Sequence, residues 1–170
     1  ENIKKIYSMI TKSHRPLILI GNGIHISHSE KDFLNLIKKI KIPILSTWNA
    51  SDIVESKNKF YFGRPGLFGN RIANFAIQSC DLLLILGSRL SVPITGYQMK
   101  NFSPLSKKIY VDIDENEIKK RGLKTKISIK SDLKLFLNQF NIFIKNKDQV
   151  NRLDWQKKLL KVKNNFNENN

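Results

Sequence analysis

The sequence predicts an α/β fold of three layers, with helices on both faces of a parallel sheet of five or six strands. Three observations carry that prediction. Leu82-Leu83-Leu84-Ile85-Leu86 is a run of five apolar residues. It is too short to cross a membrane and suits a strand buried on both faces, as a central parallel strand requires. Apolar strand-like runs alternate with helical stripes along the chain, which argues for right-handed crossovers between parallel strands. A glycine-bearing turn, Gly21-Asn22-Gly23, follows the first strand-like run, where open α/β sheets bind ligands.

The elements follow in order. Ile3, Ile6, Tyr7 and Ile10 recur at helical spacing and predict an opening helix that ends near Ser13, ahead of Arg15-Pro16. Leu17-Ile18-Leu19-Ile20 is the first strand. Phe33, Leu36, Ile37 and Ile40 mark a helix with Ser29 as its N-cap. Ile42-Pro43-Ile44-Leu45-Ser46 reads as a second strand, its proline near the start where a missing donor is tolerated. Residues 50–68 read as a loop with a short strand at Phe60-Tyr61-Phe62. A helix is expected from Gly69 to Ser79, with Ile72, Phe75 and Ala76 inward.

After the Leu82 strand comes a loop across Pro93 and Pro104, then a strand over Lys108-Ile109-Tyr110-Val111-Asp112. A short strand at residues 126–129 precedes a closing helical stripe of Leu133, Phe136, Leu137 and Phe140. Counted this way, the strand order common to the class is 3-2-1-4-5-6. Residues 1–147 are expected to form the domain. Residues 148–170 read as a basic helical tail that fades into a solvated end from Asn164. Its Trp155 is expected to cover something apolar, on this domain or on a neighbour.

Composition bounds the function. At 170 residues the chain suits one domain that buries about 70% of its unfolded surface. Hydrophobic content of 41% and a mean hydropathy of −0.33 fit a globular protein, and no apolar stretch reaches the roughly 20 residues of a membrane helix. The amino terminus has no apolar signal core and no initiator methionine, so the expectation is a piece of a longer cytoplasmic chain. A single cysteine excludes an internal disulfide framework and a cysteine-cluster zinc site, and Cys80 is expected to pack rather than react. His14, His25 and His28 show no metal-ligand spacing. The net charge of +16 is spread as lysine through most segments, with no arginine-rich run. It raises nonspecific affinity for polyanions at low salt and defines no function.

Candidate chemistry gathers at the carboxyl ends of the strands. The Leu82 strand delivers Gly87, Ser88 and Arg89: a backbone open to close approach, a hydroxyl, and a guanidinium that can fork onto phosphate. The other reading is a sheet–loop junction whose arginine pairs with a neighbouring carboxylate. Gly21-Asn22-Gly23-Ile24-His25-Ile26 keeps two glycines of a dinucleotide fingerprint and has isoleucine where the third belongs. These two turns should flank one crevice. Asp112 is assigned to the ligand face and Asp114 to a helix cap. Arg64-Pro65-Gly66 forms a tight turn before a helix whose amides favour an anion. Asn70 and Asn74 either donate to a ligand or satisfy loop carbonyls. No nucleophile–base pair emerges, so no catalytic residue and no metal ligand is expected in this chain.

Thr47-Trp48-Asn49-Ala50, Phe62-Gly63-Arg64-Pro65-Gly66, the segment Gly69–Ala76, Ile85-Leu86-Gly87-Ser88-Arg89-Leu90 and Val111-Asp112-Ile113-Asp114 occur in an order that resembles one family. It is the central domain of thiamine-diphosphate-dependent enzymes of the acetolactate synthase type, and the resemblance covers roughly residues 16–140. It implies a Rossmann-like (DHS-like) unit that braces two other domains of the parent chain in a homo-oligomer. Thiamine diphosphate and Mg2+ would bind outside it, held by a Gly-Asp-Gly motif and a downstream asparagine, with an activating glutamate from the amino-terminal domain.

Some members bind FAD or an adenine nucleotide in the central domain. By matching motifs, such contacts fall at Gly21, Asn22 and Gly23, at Thr47, Trp48 and Asn49, at Arg64, Pro65 and Gly66, and at Gly87, Ser88 and Arg89. Asp112, Ile113 and Asp132 would lie near ribose and adenine. Flavin-binding members follow the Gly-Ser/Ala-Arg triplet with an acidic pair and a second arginine, and this chain has Ser91-Val92-Pro93 instead. The competing readings are an autonomous nucleotide-binding module, related to NAD-consuming deacylases but without their zinc-binding cysteines, and a nucleic-acid binder suggested by charge alone. The family reading expects no specific nucleic acid and no membrane as partner.

Overall fold

A computed structural model describes residues 1–119 and 122–167. The chain runs α1 (Asn2–Lys12), β1 (Pro16–Ile20), α2 (Gly23–Ile26), α3 (Glu30–Lys39), β2 (Ile40–Lys41) and β3 (Ile44–Ser46). After a 3₁₀ turn at Trp48–Ala50 come α4 (Arg71–Ser79), β4 (Leu82–Leu86) and α5 (Val92–Thr95). A second 3₁₀ turn, Met99–Asn101, leads to β5 (Lys107–Asp112), α6 (Glu115–Ile118), β6 (Ile127–Lys130), α7 (Leu133–Ile144), β7 (Val150–Asn151) and α8 (Leu153–Asn167).

Among the described residues the main sheet has five parallel strands in the order β3-β1-β4-β5-β6. Beyond β3, the expected edge strand at Phe60–Phe62 is reduced to one parallel bridge, Ile44 with Tyr61. Counting that bridge as a strand gives the anticipated order, 3-2-1-4-5-6. Every residue of β1 and β4 is buried. Alternation along the strands sends Ile18, Ile20, Leu84 and Leu86 to one face, against Ile6 and Ile10 of α1, Phe33 of α3 and Phe140 of α7. Leu17, Leu19, Leu83 and Ile85 face the other way, onto Ile72 and Ala76 of α4 and Trp155 and Leu159 of α8. The two helical layers and the sheet between them are the expected three layers. Each such buried side chain is worth on the order of 1.5–3 kcal/mol.

Several local expectations need correction. The second strand starts after Pro43, not at Ile42, because the chain bends between Ile40 and Ile42, where Ile42 N donates to Ile40 O at 3.1 Å. Ile40–Lys41 instead pairs in parallel with Val150–Asn151. Pro43 still serves the ladder as an acceptor, taking Ile18 N at 3.0 Å. Ser29 occupies the N-cap position of α3, but its hydroxyl turns inward to Ile24 O (3.3 Å) and Ser27 Oγ (2.7 Å), because the tight α2–α3 turn buries it. The segment read as a loop across Pro93 holds α5, started by Ser91 with a proline in its first turn. The tail stays helical through Asn164–Phe166, and Glu168–Asn170 lie outside the described residues.

Trp155 covers this domain rather than a neighbour, buried against the α4 side of the sheet. Arg152 pins the start of α8 to the end of α1, donating through Nε to Ser13 O at 2.7 Å and through Nη2 to Thr11 O. Cys80 is fully buried, its Sγ 3.3 Å from Ser103 Oγ, and burial pushes its thiol up to about 11. Native protein should therefore resist thiol-directed alkylation at neutral pH and react once unfolded in urea. Rapid modification of the folded chain would contradict this packing.

Candidate functional site

The site is built where β1 and β4, hydrogen-bonded neighbours at the centre of the sheet, release the chain. Gly21 N donates to Leu86 O and Gly23 N donates to Gly87 O, both at 2.9 Å, so the two glycine turns lie against each other. Their glycines are required by that contact. A Cβ on Gly21 would stand 2.3 Å from Gly87 O, and one on Gly23 would stand 2.7 Å from Gly87 Cα. Gly87 itself has φ +58° and donates its amide to Val111 O at 2.9 Å. Tyr110, buried beneath, donates its hydroxyl to Ser88 O, and burial raises the phenol well above its usual value.

A crevice of about 1100 Å³ opens over this junction. The β1 turn contributes Asn22 and Gly23, the end of β3 contributes Thr47 and Asn49, and β4 contributes Gly87, Ser88 and Arg89. Asp112 and Ile113 come from the end of β5, and Asp132 from the cap of α7. Gly21 is not in the lining but lies against Gly87 and Ser88. Trp48, Arg64, Pro65 and Gly66 are not in the lining: the Arg64 guanidinium stacks on Trp48, 4.8 Å from the ring centre.

The Arg64–Gly66 turn acts one step away. Arg64 N donates to Asn70 Oδ1 at 2.9 Å, and Gly66 N donates to Asn74 Oδ1 at 2.7 Å while Asn74 Nδ2 donates to Gly66 O at 3.0 Å. Both asparagines thus satisfy the loop backbone. The turn in turn abuts α5: Leu67 N donates to Pro93 O at 2.7 Å. Sequence reasoning missed the wall that α5 and the following Gly96 and Tyr97 supply. Its available signal was Ser91 followed closely by Pro93, a helix start too short to show apolar periodicity.

The charges are mixed. Arg89 Nε donates to Glu117 Oε1 at 3.1 Å, so of the two readings for this arginine the structure shows carboxylate pairing, with the guanidinium still largely exposed. Burial pushes the Asp112 carboxyl up, opposed by the Asp114 amide that donates to its Oδ1 at 3.0 Å. Asp114 caps α6 by accepting from Asn116 N at 2.8 Å, as expected. Asp132 caps α7 through Leu135 N at 3.0 Å while facing the crevice. Beside the crevice, His25 bridges two carboxylates, Glu30 Oε1 at 2.7 Å and Asp52 Oδ1 at 3.0 Å, a contact no spacing in the sequence disclosed. Among the described residues no group of three His, Cys, Asp or Glu is placed to hold a metal, and no helix is long and apolar enough to cross a membrane.

Comparison with known proteins fits this architecture. A family model described as "Thiamine pyrophosphate enzyme, central domain" matches residues 3–140. A probable acetolactate synthase large subunit of Methanocaldococcus jannaschii is 36% identical over 132 residues, covering 78% of this chain and 22% of the relative. Acetolactate synthase isozyme 2 large subunit of Escherichia coli is 27% identical, covering 91% of this chain and 27% of its own length. Acetolactate synthase 1, chloroplastic, of Nicotiana tabacum is 30% identical, with 95% and 24% covered. The chain thus spans about a quarter of the length of the curated relatives it matches. With the parallel order, the crossed glycine turns and that match in agreement, the chain belongs to the thiamine pyrophosphate enzyme central-domain family.

Proposed function

We propose that this chain is the non-catalytic central domain of an acetolactate synthase-like enzyme, a thiamine-diphosphate- and Mg2+-dependent carboligase or lyase acting on 2-oxo acids. The observation that carries the reading is the match over residues 3–140, against relatives named as acetolactate synthase large subunits. Thiamine diphosphate and Mg2+ would then bind to other domains of the parent chain, which assembles as a homo-oligomer. A buried parallel sheet clamped between two helical layers suits a domain that braces its neighbours. The coding frame should continue into a Gly-Asp-Gly segment with a downstream asparagine. The full-length protein should release CO2 from a 2-oxo acid only with both thiamine diphosphate and Mg2+ present. A full-length chain that shows no such dependence, or turnover by residues 1–170 alone, would overturn the assignment.

Nor do we assign a flavin to the crevice. Asp112 and Asp132 suit ribose hydroxyls, which donate to carboxylates. A dinucleotide diphosphate finds few donors in the glycine turns: the amides of Gly21, Gly23 and Gly87 are already donated within the protein. Purified protein should be colourless, and added FAD should keep the fluorescence of the free cofactor. Stoichiometric flavin in the purified enzyme would show that the crevice rearranges to admit it.

A further inference from the structure

The two walls of the crevice are joined by a contact that depends on one proton. One wall is the glycine turn and α2, from which Gly23, Ile26 and Ser27 face the crevice; the other is the segment after β3, with Thr47 and Asn49. His25 of α2 reaches Glu30 through Nδ1 at 2.7 Å and Asp52 through Nε2 at 3.0 Å. A carboxylate oxygen only accepts, and a neutral imidazole has a single N–H. Both contacts are therefore hydrogen bonds only when the ring is an imidazolium. Asp52 is the more distant and more exposed partner, three-quarters exposed against about two-fifths for Glu30, which stands in the first turn of α3.

Two of the backbone contacts that close the segment carrying Asp52 are long. Ser51 N reaches Trp48 O, and Ile53 N reaches Ala50 O, each at 3.4 Å. Ser51 Oγ also donates to Trp48 O at 2.9 Å, and buried Ala50, Ile53 and Val54 hold the inner side, so the freedom lies with the exposed side chains of Trp48 and Asp52. We propose that His25 is a proton-operated latch: protonated, it ties the α2 wall to the Asp52 segment, and neutral, it keeps Glu30 and lets Asp52 go.

The sign follows from the neighbours. Hydrogen bonds that the ring donates to Asp52 and then Glu30 raise His25 above its ordinary 6.5. Glu30 is lowered by its own backbone amide and then by the bond to His25, and Asp52 first by the bond to His25. The latch is complete below the ordinary histidine value and is lost as pH rises through the raised one. At the acid end it is lost as pH falls through the lowered carboxyl values.

Imidazole NMR of the protein, with His14→Asn and His28→Asn variants for assignment, should place the His25 midpoint above 6.5. Asp52→Asn should bring it down. In a Trp155→Phe background Trp48 is the remaining tryptophan, and its emission should step along the His25 titration. Amide exchange at Ser51 and Asp52, corrected for intrinsic rates, should rise roughly two- to fivefold above the midpoint, the range for one surface ion pair. His25→Gln should abolish the step. Trp48 emission that stays flat through the His25 titration, or a midpoint unmoved by Asp52→Asn, would overturn the latch. Neither readout depends on the activity of the parent enzyme.

Discussion

Replacing Gly21 with alanine should cost about 3 kcal/mol of folding stability, the upper end of overpacking penalties. The added methyl carbon would stand 2.3 Å from Gly87 O and 2.5 Å from Ser88 Cα, both backbone atoms of the opposing turn. Neither can swing aside, because Gly21 N and Gly23 N tie the turns together and Gly87 N is tied to Val111 O. Urea unfolding followed by circular dichroism reads the loss directly. Gly96→Ala is the control. Unlike Gly21 it has positive φ (+73°), but a Cβ there meets nothing within 4 Å. It should lose only the conformational penalty, roughly 1–2 kcal/mol. Equal losses at the two sites would mean that the turns do not press together as described. A typical domain has about 5–15 kcal/mol in hand, so both variants should still fold.

Trp155→Ala should be as damaging, at roughly 3–5 kcal/mol, the range for removing a large aromatic from a core. The ring is 3% exposed and packs in the cluster that holds Ile72 and Ala76 of α4. Trp155→Phe should lose much less. The indole Nε1 has no hydrogen-bond partner among the described residues, so phenylalanine gives up volume but no bond. Deleting residues 148–170 should destabilise at least as much as Trp155→Ala, since the bonds from Arg152 to the end of α1 disappear with it. A tail that served only as a linker would leave the urea midpoint unchanged in all three. That outcome would separate α8 from the domain and put the boundary at residue 147.

Most of the fold was legible because its signals are local. Five apolar residues in β4 and four in β1 can only be buried, and the helical stripes of α1, α3, α4 and α7 announce their inner faces. What was not legible depends on distant partners. Ile40 and Lys41 look like helix end and loop until Val150 and Asn151 arrive beside them. Trp155 had two possible covers, and only the packing of α8 on α4 decides between them. The edge segment Phe60–Phe62 keeps one bridge to β3, with Ile44 N donating to Phe60 O and Phe62 N to Ile44 O.

The site divides in the same way. The two glycine turns and Asp112 follow from strand ends, so sequence order alone brought them together. Arg64 and Pro65 carried the right chemistry but face Trp48 and the α5 support. The pairing of Arg89 with Glu117, and of His25 with Glu30 and Asp52, needs three-dimensional proximity that no spacing rule encodes.

The small β2–β7 pair closes one of the longest loops in the fold. Its two strands, Ile40–Lys41 and Val150–Asn151, bracket nearly the whole sheet between them, and every main-sheet partner is also met across a long excursion of chain. Closing such loops costs entropy before any contact rewards it. High contact order of this kind predicts slow, millisecond-to-second assembly rather than the microsecond folding of local helical bundles. On a ribosome, the nascent chain would reach its final form only after Trp155 has left the exit tunnel.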